Sequence, residues 1–177
     1  QRSLIMPLVS YVNDNSIWQG EWFGPNNGSR FNFTLYGTPK LGNDGLDMQT
    51  FTADYRKYSK LAKEFIFVYR LSGGMSIGSN RQNFLLGGTE GWMNYHLATS
   101  EIPINNVEDF AFLTQVLPLR GYDYAQQIGT KFAVTNVEFR FPLLKYLIFG
   151  AVPIGFANIL GTAFVDMGSA WSDDHLW

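Results

Sequence analysis

Residues 131–141 read Lys-Phe-Ala-Val-Thr-Asn-Val-Glu-Phe-Arg-Phe, and this stretch decides the fold. Successive side chains of a β-strand point to opposite faces, so a period of two separates the stretch into two sets. One set is mostly apolar and ends with Phe139 and Phe141, whereas the other carries both Glu138 and Arg140. The stretch therefore predicts a strand whose charges share one face.

The same period recurs along most of the chain. Six strands are predicted: one before residue 15, then 30–37, 48–58, 65–74, 131–149 and about 156–171. Short polar or glycine-rich links such as 23–28, 42–45 and 58–64 have the composition of tight turns. These features predict an all-β chain with antiparallel strands.

Two stretches compete with this simple pattern. Residues 73–129 are rich in Gly, Asn and Pro, and the region is longer than an ordinary connection between strands. Such a length is typical of a functional loop or a disordered segment. Residues 146–165 carry no charge and are long enough for a membrane-spanning helix. Pro153 and three glycines favour a hairpin that turns at 152–155 instead.

Composition narrows the class of protein. Of 177 residues, 46% are hydrophobic and only 16% are charged, which indicates a surface that does not wholly face water. The net charge of −2 lacks the excess of positive charge that is typical of nucleic-acid-binding proteins. Cysteine is absent, so disulfides and thiolate chemistry are excluded. No basic segment followed by an apolar stretch opens the sequence, which leaves open whether a secretory signal is missing, was removed or lies upstream.

Pattern alone leaves two architectures open. An outer-membrane β-barrel would turn Phe31, Phe33, Phe65 and Phe67 towards lipid. A soluble β-sandwich would bury the same residues in a core between two sheets.

Ordered motifs distinguish these possibilities. They are Asn13-Asp14-Asn15, then 25–28, 55–58, 84–88, Leu119-Arg120-Gly121-Tyr122, 137–142 and 163–168. Together they resemble the bacterial surface-antigen superfamily of outer-membrane barrels, also called the BamA-TamA-FhaC superfamily. The arginine-glycine-aromatic run and the later Phe164-Val165-Asp166 are the most specific part. A weaker similarity, around 86–92, points to the subfamily that carries an upstream TolB-like propeller.

The resemblance implies an antiparallel transmembrane β-barrel of sixteen strands, of which this chain supplies about six. Residues 1–177 would then be a partial outer-membrane β-barrel domain, with a long extracellular loop at about 75–130 that folds into the lumen. An open six-stranded sheet in lipid would leave edge backbone groups unsatisfied, so further strands are expected on both sides.

The resemblance also implies a structural clamp in the lumen. Arg120 on the inward-folded loop would meet Glu138 and Asp166 on the barrel wall, with Gly121, Tyr122 and Gly168 completing the motifs. A guanidinium can hold carboxylates through two parallel hydrogen bonds, and it would be costly to bury unpaired.

The implied function is insertion or translocation of proteins at the bacterial outer membrane, in contact with lipid and with other envelope proteins or substrate polypeptides. No cofactor or metal is expected, and neither is nucleic acid. One alternative is a passive anchor or structural subunit that holds an upstream propeller or patatin-like domain. Another is a soluble β-sandwich that acts as a binding module.

An enzyme is not expected. Gly74-Met75-Ser76-Ile77-Gly78 matches the nucleophile elbow of serine hydrolases, with Asp166 and His175 following in order. The elbow needs a helix directly after the serine, whereas residues 79–83 have the composition of a loop. Neither His96 nor His175 has a second ligand at metal-binding spacing.

Overall fold

The computed structural model describes residues 5–18, 24–40, 45–89, 113–116, 119–150 and 154–172. These residues form nine β-strands: β1 (Leu8–Asp14), β2 (Gly28–Thr38), β3 (Met48–Ala62), β4 (Phe65–Ile77), β5 (Asn83–Leu86), β6 (Leu113–Val116), β7 (Gln127–Gly129), β8 (Lys131–Phe149) and β9 (Ile154–Trp171). No helix in the described ranges has the length and apolar character needed to cross a membrane.

Six long strands form one antiparallel sheet in the order β1-β2-β3-β4-β8-β9. Strands β4 and β8 are neighbours although three short strands separate them in sequence. Asn136 in β8 lies opposite Arg70 in β4 and opposite Asp166 in β9, which sets the register of that part of the sheet. The predicted antiparallel all-β fold is therefore confirmed.

The two faces of this sheet differ in chemistry. On the apolar face, Phe33, Phe67, Leu71 and Met167 leave between 37% and 58% of their surface exposed. The opposite face, called here the polar face, carries Asp54, Arg56, Arg70, Glu138, Arg140 and Asp166, whereas the alternation places Lys57 and Lys131 on the apolar face. Cross-strand register brings these charges into neighbouring positions, whereas the period of two in the sequence predicts only which residues of one strand share a face.

A second, three-stranded sheet in the order β6-β5-β7 packs on the polar face. Its contact with the long sheet is a small hydrophobic core formed by Phe84, Leu86, Leu119, Phe132 and Val134. The rings of Phe84 and Phe132 lie 4.7 Å apart between centroids. This core holds the segment that precedes Arg120 against β8.

The structure corrects several details of the sequence prediction. Strand β3 continues to Ala62 and β4 to Ile77, while β9 begins at Ile154 rather than after the turn predicted at 152–155. The membrane-helix alternative for 146–165 is wrong, because β8 and β9 pair along that region. The region 73–129 is not devoid of regular structure, since it includes the end of β4 and strands β5, β6 and β7.

The nucleophile-elbow alternative also fails on geometry. Ser76 lies within β4, is 1% exposed, and shares a 3.0 Å hydrogen bond with the hydroxyl of Thr50. Its Oγ accepts a second hydrogen bond from the backbone N–H of Gln82. A serine in a regular strand lacks the strained strand-to-helix turn that exposes a hydrolase nucleophile.

Candidate functional site

The candidate site is built around Arg120, which lies directly after a buried anchor residue. Leu119 is fully buried in the core under the small sheet. The backbone N–H of Leu119 donates to the carbonyl of Gly88 over 3.2 Å. Gly121 follows with a φ of 88°, a left-handed conformation that glycine adopts without strain. The chain is thus fixed before Arg120 and turns sharply after it.

Arg120 binds Asp166 through a two-pronged ion pair. Nε donates to Oδ2 and Nη2 donates to Oδ1, both over 2.7 Å. The backbone N–H of Arg120 donates to the same carboxylate over 2.9 Å. The side chain of Asp166 is only 1% exposed, so this carboxylate depends on protein donors rather than on water.

Glu138 supplies a second carboxylate to the same guanidinium. Nη1 of Arg120 donates to Oε1 of Glu138 over 2.8 Å. The guanidinium also lies 3.7 Å from the centroid of the Phe164 ring, within the range of a cation-π contact. The hydrogen bonds to Asp166 raise the pKa of Arg120 above its ordinary value, although partial burial opposes them. Arg120 therefore bridges β8 and β9.

The ionic contacts continue beyond the predicted residues. Glu138 also accepts hydrogen bonds from Arg140 through its second oxygen, the shorter of them 2.8 Å long. Arg140 reaches further to the carbonyl of Pro25 over 3.4 Å, in the turn before β2. The polar face is therefore linked from the small sheet on one side to the β1–β2 connection on the other.

A second ionic group lies on β3 and β4. Asp54 accepts from Arg56 over 2.7 Å and from Arg70 over 2.6 Å. Arg70 also donates to Oδ1 of Asn136 over 3.4 Å, which connects this group to β8. These residues were not predicted as part of a site. Alternation placed Asp54 and Arg56 on one face, but only the strand register shows that Arg70 joins them.

The remaining predicted residues have different surroundings. A Cβ added at Gly168 would lie 3.1 Å from Cγ2 of Val134 and 3.4 Å from Cδ1 of Leu119. The absence of a side chain at Gly168 therefore allows Leu119 to pack closely against β9. Tyr122 is 41% exposed and does not share in the ion pairs described above. The structure thus brings together Arg120, Glu138 and Asp166, with Gly168 beneath the anchor residue.

This geometry is suited to holding the loop segment around Arg120 against strands β8 and β9 of the long sheet. The described residues contain no group of three or more side chains able to hold a metal ion. His96 and His175 lie outside the described residues. What the arrangement provides is a set of strong, directional contacts between two parts of the fold.

Comparison with known families gives one match. The family model described as the Omp85 superfamily domain covers residues 20–175, and thus nearly the whole chain. The matched range includes Arg120 and both of its carboxylate partners. No individual characterised protein matches the sequence. The match confirms the resemblance to the surface-antigen superfamily.

Proposed function

This chain belongs to the Omp85 superfamily, a family of outer-membrane proteins for protein insertion and translocation, and we propose that its long sheet forms part of such a barrel. Strands β2, β3, β4, β8 and β9 contain 11 to 19 residues each. A strand needs roughly 9–11 residues to cross the bilayer. The exposed apolar face suits lipid, and the polar face suits a water-filled lumen.

The connections support an orientation for the sheet. The turn between β3 and β4 and the one between β8 and β9 are short and lie at one end, whereas the long β4–β8 connection lies at the other. Barrels of the outer membrane have short periplasmic turns and longer extracellular loops. We therefore assign the connection at about 75–130 to the extracellular side, folded back onto the lumen wall.

The observation that carries the functional proposal is the ion pair of Arg120 with Asp166 and Glu138. We call these three residues the lumen clamp. The part of this loop around Leu119 and Arg120 is held by a buried carboxylate and by a hydrophobic core. The clamp would hold the loop inside the lumen, so that the lumen keeps its shape and stays partly filled while a polypeptide is inserted or translocated.

The function is testable with the full-length protein in liposomes. Unfolded outer-membrane barrel protein is added, and its folding is followed by heat-modifiable migration. An insertase should accelerate folding several-fold over empty liposomes, and the Arg120→Ala variant should lose most of that acceleration. Equal folding rates with and without the protein would refute an insertase.

The packing of the loop favours a second candidate. Phe84, Leu86 and Leu119 are fully buried and fill space on the polar face, which also suits a closed barrel that anchors an upstream domain. Such an anchor would retain its upstream propeller or patatin-like module at the membrane but leave substrate folding unchanged. The upstream TolB-like propeller itself stays a prediction.

The membrane assignment has its own test. A cysteine at Phe33 should resist a water-soluble maleimide in intact outer membranes, because lipid covers the apolar face. A cysteine at Thr34, the next residue and on the polar face, should react. Rapid labelling at Phe33 would instead favour the soluble β-sandwich.

A further inference from the structure

The loop that follows β4 begins with a turn that uncharged groups fasten to the long sheet. Tyr36, Thr50 and Ser76 lie opposite one another in β2, β3 and β4, so their hydroxyl groups form a row on the polar face. The hydroxyls of Tyr36 and Thr50 both donate to Oε1 of Gln82. The backbone N–H of Gln82 donates to Oγ of Ser76 over 2.9 Å. Thr50, Ser76 and Gln82 are all buried, so these hydrogen bonds form away from water.

A second contact holds the same turn. The backbone N–H of Asn80 donates to the carbonyl of Asp47 over 2.9 Å, and the N–H of Asp47 donates to Oδ1 of Asn80 over 3.2 Å. Gly78 has a φ of 115°, and a Cβ at that position would clash with the carbonyl of Asp47. Residues 78–82, called here the fixed end, are thus bound to β2, β3, β4 and the β2–β3 connection by neutral hydrogen bonds.

The other attachment of the loop is ionic. Residues 119–126, called here the release end, bind β8 and β9 through the guanidinium of Arg120. The backbone N–H of Leu119 donates to the carbonyl of Gly88, and Gly87 and Gly88 have φ values of 125° and 88°. Glycine changes its backbone angles at little cost, so the chain at this pair can change direction when the release end moves away.

The two attachments differ in the strands that they contact and in the length of chain that they close. Groups that share no partner usually contribute independently to stability, and the fixed end is bound to other strands than Arg120 is. The fixed end directly follows β4, whereas a longer segment separates Arg120 from β8. A longer closed segment costs more chain entropy, so the attachment at Arg120 is the easier one to open.

We propose that the loop acts as a strap with two independent attachments, of which the fixed end stays in place and the release end opens when the ion pairs of Arg120 break. Opening would uncover Glu138 and Asp166 on the wall, while Gln82 keeps the start of the loop on β2, β3 and β4. The space above the polar face would then vary without loss of the loop. This inference rests on the lumen clamp of the proposed function but not on insertase activity.

Hydrogen exchange of the full-length protein in lipid vesicles tests the independence of the two ends. Arg120→Met should accelerate exchange of the backbone amides at positions 119 and 120 at least about tenfold, and the amides at positions 80 and 82 should stay within about twofold of wild type. Equal acceleration at both ends would overturn the strap, because the loop would then open as one unit. An unchanged rate at position 120 would overturn both the release end and the lumen clamp.

The reciprocal variant tests the fixed end. Gln82→Met keeps an unbranched side chain but removes Oε1, and it should accelerate exchange at positions 80 and 82 about tenfold while positions 119 and 120 stay within about twofold of wild type. Gln126→Met is the matched control, because Gln126 is exposed and its Oε1 accepts only a local bond from the N–H of Asp123 among those described, over 3.0 Å. Unchanged exchange at position 82 in Gln82→Met, or equal acceleration there in Gln126→Met, would contradict the fixed end.

The wild type provides a measurement that needs no substitution. In urea below the unfolding midpoint, the amide at position 120 should become open to exchange at a lower urea concentration than the amide at position 82, because the release end opens first. Opening of both amides at the same concentration, or of position 82 first, would refute the strap. Equal folding rates in the liposome assay would refute an insertase and leave these exchange rates unaffected.

Discussion

Replacing Arg120 with methionine should destabilise the fold far more than removing a surface cation. Methionine keeps an unbranched apolar stem that can still pack on Phe164, so the change isolates the charged group. Asp166, which is 1% exposed, would then lose both guanidinium hydrogen bonds. Glu138 would keep its contact with Arg140. The loss of folding stability in Arg120→Met therefore arises mainly from the unpaired carboxylate of Asp166.

The expected loss of stability depends on this difference between Asp166, which loses its guanidinium partner, and Glu138, which keeps one. Removing one partner of a buried ion pair costs about 3–5 kcal/mol, because the other charge stays buried without compensation. We expect the lower end of this range, since Asp166 keeps the backbone N–H at position 120 and a hydrogen bond from Asn136. Adding Asp166→Asn to Arg120→Met removes the stranded charge and should recover about 1–2 kcal/mol.

The assay is urea unfolding of the full-length protein in lipid vesicles, followed by heat-modifiable migration and by protease resistance of the loop. Lys145→Met provides the matched control. Its ion pair with Glu64 has the same 2.7 Å distance, but the lysine side chain is 61% exposed. An exposed pair of this kind contributes only about 0.2–1 kcal/mol.

Two results would refute the reasoning. One is an Arg120→Met variant whose unfolding midpoint and protease resistance match those of Lys145→Met. The other is a double variant whose destabilisation equals the sum of the two single changes, because residues that share a contact should not behave additively.

Two further changes test the packing beneath the clamp. Gly168→Ala should cost about 1–3 kcal/mol in urea unfolding, since the new Cβ crowds Val134 and Leu119; Gly150→Ala, with open space around its Cβ, should have little effect, and equal costs would contradict the packing. Leu119→Ala should cost about 2–5 kcal/mol and speed proteolysis of the loop, because it leaves a cavity in a closed core. Unchanged proteolysis of that variant would show that the core does not hold the loop.

Much of the fold could be predicted because its signal is local. Alternation over residues 131–141 depends only on the period of a strand, and β8 has the bounds that were predicted. Strands β5, β6 and β7 were missed for a physical reason. They contain only three or four residues each, too few to show a period, and they are held by contacts with one another and with β8 rather than by their own pattern.

The residues of the candidate site also fall into two groups, those named from the sequence and those that only the strand register brings together. Arg120, Glu138 and Asp166 were named through a family resemblance, and the role of the clamp stays a proposal. Asp54, Arg70 and their neighbours were not named, although each was visible as a charge on a strand. Their association depends on which strands are adjacent and on their register, and β4 and β8 are separated in sequence by more than fifty residues.

The register gives the clamp a consequence beyond local stability. Asp166 lies opposite Asn136, and Glu138 lies opposite Phe164, so the two carboxylates occupy diagonal positions on adjacent strands. A slip of one residue between β8 and β9 would turn one carboxylate towards the apolar face. In the native register Arg120 contacts both carboxylates, because its Nη1 donates to Glu138 on β8 and its Nη2 donates to Asp166 on β9. We therefore expect docking of Arg120 to favour the native pairing of β8 with β9.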